Sequence, residues 1–183
     1  MADVLFISEN YLKQYSVIND NVDLKILTPT LIWVQDNYVQ KILGQDLFEE
    51  IQSQINAASV SALNKVILDK WILKIILNYA LMESTPEFKY KYMNKGLMVK
   101  NSDNSQAIDP TELQFEMDRW RARAEFYSEN LRRYLRVNIN DYPKYVSNIT
   151  YDKLRPIRNN FTTGIYLDPG SDQDDCNIII GNY

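Results

Sequence analysis

The chain has 183 residues, of which 45% are hydrophobic and 24% are charged, and its net charge is -4. This length and balance are typical of one globular domain, or of one domain plus an appendage, that holds its own core without a disulfide or a metal. The sequence has no histidine and one cysteine, which excludes Ser-His-Asp triads, Cys-His pairs and the common zinc sites. Neither a phosphate-binding glycine motif nor a basic balance is present, so we expect no enzyme activity, no cofactor and no nucleic-acid binding by the whole domain.

The N-terminal third of the chain predicts short helices separated by turn residues. Ser8 and Glu9 begin the first, which ends in the turn-prone residues 19–21. Asn21 can cap a second helical segment, which Pro29 either kinks or ends, with Thr28 as the cap of the helix that follows.

The middle of the chain predicts three further helical segments. Their apolar residues recur at helical spacing over residues 31–43, 46–56 and from Ser59 or Ser61 to about Ser84. Gly44 supplies the residue that closes the first of them, and Pro86 is expected to stop the last. That last segment is apolar almost all round, which indicates a central helix covered on several sides rather than a membrane span. The following stretch, 94–109, is predicted to be a polar loop around a small apolar run.

The strongest helix signal lies between residues 109 and 137. Asp109 is a good N-cap, Pro110 occupies the first helical position and Glu112 lies three residues after the cap. Apolar residues then recur at alternating spacings of four and three, at Leu113, Met117, Trp120, Ala124, Tyr127, Leu131 and Tyr134. An intramolecular bundle is favoured over a coiled coil between chains, because several other apolar helices need a partner.

This long helix also carries a row of arginines, which are candidate interface residues. They are Arg119, Arg123, Arg132, Arg133 and Arg136. Acidic residues are interleaved with them at helical spacings, so pairing along the helix or across an interface is favoured over nucleic-acid binding. A helix lining a DNA channel is the alternative.

The remainder of the chain, 141–183, changes character. Its prolines, glycines and two β-prone runs, 161–167 and 176–180, predict an extended arm with short β segments. The arm either folds back as a hairpin or adds to the sheet edge of a neighbour. Its candidate interface residues are Phe161, Ile165, Tyr166, Ile178, Ile179, Ile180 and Tyr183. The predicted architecture is therefore mainly α: a bundle of about five helices over residues 1–140, followed by this C-terminal arm.

The first sixty residues also carry a more specific pattern. A short Ser-Glu-x-x-Leu-Lys helix is followed by Asn-x-Asn-Val-Asp, then by a Gln-x-x-Tyr-Val run that ends in Ile-Leu-Gly-x-Asp-Leu-Phe-Glu-Glu. The matching positions are Ser8, Glu9, Leu12, Lys13, Asn21, Val22, Asp23, Leu27, Pro29, Gln35, Tyr38, Leu43, Gly44, Asp46 and Leu47. This pattern resembles the head–tail connector (adaptor or ring) proteins of tailed bacteriophages, especially crAss-like and related phages.

The resemblance implies a structural virion protein made in the host cytoplasm and located in the virion neck. Such proteins form a ring, often of twelve copies, beneath the portal protein, and they extend the DNA channel toward adjacent tail or neck ring proteins. Packaged DNA would then lie nearby, and no membrane would be involved. The alternatives are another structural virion protein, associated with the tail or capsid, and a phage protein-binding module that is absent from virions.

Overall fold

The computed structural model describes residues 4–18, 27–93, 96–99, 109–146 and 154–157, and over these residues the chain is mainly helical. In chain order the elements are α1 (Glu9–Tyr15), α2 (Thr28–Val34, Gln35–Val39 and Gln40–Leu43 in continuous succession), α3 (Gln45–Asn56), α4 (Ala62–Ile67, Leu68–Ile72 and Leu73–Lys89 in continuous succession), β1 (Tyr90–Met93), β2 (Gly96–Val99), α5 (Pro110–Val137), a 3-10 turn (Ile139–Asp141) and α6 (Pro143–Val146). The middle segments of α2 and α4 are single π-helical turns, which widen a helix locally.

Side-chain caps fix where three of the helices begin. The Ser8 hydroxyl accepts a hydrogen bond from the Tyr11 amide, and the Ser61 hydroxyl accepts one from the Asn64 amide. The Asp109 carboxylate accepts from the Thr111 amide at 3.0 Å, with Pro110 in the first turn. These caps satisfy amides that have no partner inside the helix. The predicted starts of α1, α4 and α5 are confirmed.

Thr28 differs from its predicted role. It is the first residue of α2, and Leu27 precedes the helix without a side-chain cap. Pro29 follows inside the first turn, where its missing amide hydrogen removes no helical bond. The predicted cap at Asn21 lies outside the described residues.

Gly44 forms the sharp junction between α2 and α3. Its φ of 75° and ψ of 167° lie in a region that is open essentially to glycine alone. The residue is buried, so the two helices meet closely at this point. The prediction that Gly44 ends the helix is confirmed, although its ψ is extended rather than left-handed helical.

Helix α4 is the centre of the bundle. Ile72, Ile75 and Ile76 are fully buried, and α4 packs against both α2 and α5. The predicted central helix is therefore confirmed, but the predicted stop at Pro86 is wrong, because the helix continues to Lys89. Proline removes only one hydrogen bond, and one turn before the helix end few further bonds depend on it. The Thr85 hydroxyl, next to the proline, donates to the Leu81 carbonyl at 2.6 Å.

The chain leaves α4 as a β-hairpin rather than as the loop predicted from residue 94. Strand β1 pairs with β2 in antiparallel register, from Tyr90 opposite Val99 to Met93 opposite Gly96. The two strands contain β-prone tyrosine and valine residues, and their pairing satisfies backbone groups of the strands themselves. Pairing of this kind was hidden from the sequence because each run is only four residues long.

The first described residues and those just after α5 both pack onto the bundle. The buried amide group of Gln35 accepts from the Phe6 amide at 2.7 Å and donates to the Val4 carbonyl at 3.1 Å. Beyond residue 140, Tyr142 and Tyr145 are buried in the core. The division at residue 140 stays a prediction, and the β-prone runs 161–167 and 176–180 lie outside the described residues.

A short segment of the predicted arm, residues 154–157, crosses the α2–α3 junction. The backbone amide of Gln45 donates to the Leu154 carbonyl at 3.0 Å, and the backbone amide of Ile157 donates to the Lys41 carbonyl at 2.6 Å. We call residues 154–157 the strap. Because it bonds to the backbone on both sides of Gly44, the strap is positioned by the main chain of the bundle.

Candidate interaction surface on helix α5

One face of α5 belongs to the core. Trp120, Ala124, Leu131 and Leu135 are buried there, and this inner face packs along α4. These residues include part of the four-and-three apolar pattern seen in the sequence. The prediction of an intramolecular bundle is confirmed, since α4 of the same chain covers the pattern.

The opposite face of α5 carries a second row with nearly the same spacing, which we call the outer stripe. Its members are Phe115, Arg119, Ala122, Phe126, Glu129, Arg133 and Val137. At about 100° per residue, Phe115 and Ala124 lie roughly 180° apart, so the outer stripe faces away from the core. Phe115 is 69% exposed, Phe126 is 62% exposed and Val137 is 82% exposed. A helix with apolar residues on both faces has a surface available for a partner.

The charged residues of the outer stripe are paired along the helix. Arg119 lies 3.2 Å from the Glu116 carboxylate, and Arg133 lies 3.1 Å from that of Glu129. Arg121 makes a comparable contact with Asp118 outside the stripe, at 3.2 Å. The predicted pairing along the helix is thus present. Because these pairs are exposed, each contributes little to stability on its own.

Trp120 links the arginines to a groove at the N-terminal half of α5. The guanidinium carbons of Arg119 and Arg123 lie 5.4 Å and 4.8 Å from its ring centre, within the range of a cation–π contact. Beside them, a groove of about 770 Å³ separates the end of α1 from α5, and exposed Tyr15 and Phe126 form part of its wall. Arg123 therefore lies on the border between the groove and the outer stripe.

Arg132 differs from the other predicted interface arginines because it is buried. Its Nε donates to the Ile157 carbonyl of the strap at 3.0 Å, and its Nη1 lies 3.8 Å from the Glu129 carboxylate. Nη1 is enclosed and has no hydrogen-bond partner among the residues that the structure describes. This residue anchors the strap to α5. It is the side chain of Arg133, 71% exposed, that faces outward.

The last predicted arginine, Arg136, is exposed in the final turn of α5, where a positive charge suits the helix dipole. The predicted interface residues of the arm, from Phe161 to Tyr183, lie outside the described residues. The sequence analysis also missed Phe115, Ala122 and Phe126. A second search for four-and-three spacing, offset from the first row, would have found them.

Two tyrosines, the buried Tyr79 and the partly buried Tyr38, pack against each other between α4 and α2. The Tyr38 hydroxyl donates to Glu83 at 2.6 Å, and its ring stacks on Tyr79 with 3.8 Å between ring centres. Burial, followed by the hydrogen bond to Glu83, raises the pKa of Tyr38, and burial raises that of Tyr79. Both hydroxyls therefore stay protonated at neutral pH, and that of Tyr38 acts as a hydrogen-bond donor to Glu83.

Other kinds of site find no support in the part of the chain that the structure describes. No group of three histidine, cysteine, aspartate or glutamate residues within the described ranges is placed to hold a metal ion. None of the helices in those ranges combines the length and apolar character needed to cross a bilayer. The outer stripe and the adjoining groove are accordingly the surface features on which a functional argument can rest.

Comparison with known protein families assigns most of the helical part of the chain to a family. A family model matches residues 39–155, which is well over half of the chain. The chain belongs to DUF6712, a family of unknown function. The DUF6712 region begins at the end of the π turn in α2 and continues into the strap, so it contains the whole of α5. No curated protein and no solved structure shows significant similarity to the chain.

Most of the connector-like pattern lies before the DUF6712 region. Of the matching positions, Leu43, Gly44, Asp46 and Leu47 fall inside it, and those from Ser8 to Tyr38 precede it. The family assignment and the resemblance to connectors are therefore two largely separate observations about the chain.

Proposed function

We propose that this chain is a structural virion protein, one subunit of an oligomeric ring that joins a phage capsid portal to the tail and extends the DNA channel. The resemblance of the first sixty residues to head–tail connectors supports this proposal. The mainly helical fold is compatible with it. The single structural observation that favours an assembly role is the outer stripe, with two phenylalanines more than half exposed on a helix whose other face is already buried.

A ring demands two different surfaces on each subunit, because neighbours meet head to tail. The outer stripe of α5 is the first candidate, and the arm beyond the strap is the second. The strap supports this assignment, since its hydrogen bonds to Lys41, Gln45 and Arg132 give the arm a defined point of departure. Paired arginines on α5 also suit a surface beside a neighbouring subunit, where exchange of ion-pair partners costs little.

In this proposal the partners are further copies of the chain, in a ring of twelve, together with the portal protein and an adjacent tail or neck ring protein. DNA would pass nearby without sequence-specific contacts. The rival proposals are another structural virion role, in the tail or on the capsid, and a protein-binding module made during infection. The exposed stripe suits all three, so position in the particle is the property that separates them.

The test is immunogold labelling of intact virions with an antibody against this chain, with an antibody against the portal protein as a positional control. We expect label at the neck and peptides of the chain in dissociated virions. Label elsewhere on the particle would replace the connector proposal with another structural role. Absence of both label and peptides would overturn the virion role and favour the protein-binding module.

A further inference from the structure

The outer stripe has a size and charge pattern that is complementary to itself when reversed. We propose that in the free protein it binds the outer stripe of a second copy of this chain, forming an antiparallel pair of α5 helices around a twofold axis. The inference uses α5 alone and does not rest on the proposed ring.

Size complementarity sets the register of the pair. Ala122 and Phe126 are neighbouring members of the stripe, one with the smallest apolar side chain and one with a large ring that is 62% exposed. In an antiparallel pair that places Ala122 opposite the partner's Phe126, the twofold axis also places Phe126 opposite the partner's Ala122. A ring then fits over a small residue on each side of the axis, as knobs fit into holes between helices.

Charge complementarity follows in the same register. One step outward along the helices, Arg119 faces the partner's Glu129, and by symmetry Glu129 faces the partner's Arg119. One step further, Phe115 faces the partner's Arg133, an arrangement suited to a cation–π contact. A parallel pair would instead place Arg119 against the partner's Arg119 and Arg133 against the partner's Arg133. Like charges therefore oppose the parallel arrangement, and the stripe selects the antiparallel one.

Two flanking residues limit the strength of the pair. Arg123 and Glu125 lie close to the twofold axis, on opposite sides of the stripe. Across the axis Arg123 approaches the partner's Arg123 and Glu125 approaches the partner's Glu125, so like charges meet. Arg123 is held over the ring of Trp120 on its own helix, with 4.8 Å between the guanidinium carbon and the ring centre, and Glu125 is half-buried. We therefore expect a reversible pair with a dissociation constant of about 1–100 μM, because only part of the contact is favourable.

Such a pair would cover both exposed phenylalanines of the stripe until another surface replaces it. If the ring also exists, the pair is the form of the free subunit and separates on assembly. The two proposals are tested on different samples, since pairing concerns the purified full chain and the ring concerns virions. If the purified chain is a monomer but the antibody labels the virion neck, the pairing proposal is overturned and the ring proposal stands. If the chain is a dimer but is absent from virions, the ring proposal is overturned and the pairing proposal stands.

The first test is sedimentation equilibrium of the full-length protein over a range of concentrations, with charge reversals at the predicted contact. We expect a monomer–dimer equilibrium that Arg119→Glu and Glu129→Arg each weaken about tenfold or more. The double variant Arg119→Glu with Glu129→Arg should recover most of that loss, because each reversed charge again meets an opposite one. Arg121→Glu is the matched control, as Arg121 is a similarly exposed arginine outside the stripe, and it should leave the equilibrium unchanged.

Circular dichroism and the melting temperature of each variant establish that it is folded before its association is compared. A monomer at all concentrations overturns the proposal. A dimer that Arg121→Glu weakens as much as Arg119→Glu, or that the double variant does not restore, also overturns it, because the contact would then lie elsewhere.

The second test fixes the direction of the helices independently of the charges. A spin label at Thr111→Cys, in a chain that also carries Cys176→Ser, marks the exposed N-terminal turn of α5. The antiparallel register offsets the two labels by about 26 residues along the axis, or roughly 39 Å at 1.5 Å per residue. A separation of that order supports the pair, whereas labels within about 15 Å, as in a parallel arrangement of helices roughly 10 Å apart, would overturn it.

Discussion

The inner and outer faces of α5 have similar residue patterns, but the inner face is buried in the core and the outer face is exposed. Both rows have spacings of four and three and both contain large apolar side chains, yet Leu131 is fully buried and Phe126 is 62% exposed. The difference arises because α4 covers the inner face and no element of the described chain covers the outer one. Apolar spacing thus predicts that a helix has a contact face, while the neighbouring elements decide whether the contact lies inside the chain or with a partner.

The largest expected difference in the free energy of unfolding is between substitutions of apolar residues on the inner and on the outer face of α5. Leu131→Ala should lower the free energy of unfolding by about 3 kcal/mol, through lost burial and the cavity left in a packed core. Phe126→Ala should change it by less than about 0.5 kcal/mol in the monomer. Chemical denaturation followed by circular dichroism measures both, at protein concentrations low enough that association does not add to stability. Equal losses would mean that the outer face is also packed within the chain.

A smaller effect should separate two neighbouring arginines. Arg132→Ala should cost about 2 kcal/mol, because it removes a charged hydrogen bond to the Ile157 carbonyl and the packing of a buried side chain. Arg133→Ala should cost less than about 0.5 kcal/mol, since its contact with Glu129 is exposed. Limited proteolysis supplies a second measurement, because loss of the anchor should accelerate cleavage close to the strap. If both variants behave alike, Arg132 does not hold the strap.

The smallest expected effect concerns a single ion pair, which joins Arg119 of the outer stripe to Glu116. Arg119→Gln removes the contact with Glu116 and keeps a long side chain of good helix propensity. The free energy of unfolding should fall by about 0.3 kcal/mol at low salt, and the difference should vanish near 1 M salt, where such charges are screened. Denaturation of both proteins at the two salt concentrations tests this. A loss above about 1 kcal/mol that persists at high salt would show that Arg119 has a larger role within the monomer.

Local signals in the sequence predicted most of the helical framework. Ser8, Ser61 and Asp109 marked the beginnings of three helices, because a side-chain oxygen at that position satisfies an amide next to it in sequence. Gly44 marked the junction of α2 and α3 for a similarly local reason, the backbone angles that it alone tolerates. Pro86 misled the prediction, because its effect depends on how close the helix is to its end.

Contacts between residues that are distant in the sequence could not be predicted from such local signals. The hairpin of β1 and β2 depends on the pairing of two short runs, and neither run is distinctive alone. Gln35 resembles any other polar residue of an amphipathic helix, yet it is buried and holds the backbone at Val4 and Phe6. Its role depends on a segment about thirty residues away that the sequence does not connect to it.

The candidate surface shows the same division between local and tertiary information. The sequence predicted a helix over residues 110–137, with its acidic and basic residues interleaved and an apolar row along one side. The packing of other elements against α5 is what turns Arg132 inward to the strap and Arg133 outward, and it leaves the row containing Phe115 and Phe126 exposed. The physical reason is that capping and helical spacing act over a few residues, whereas burial is decided by which distant elements pack against each face.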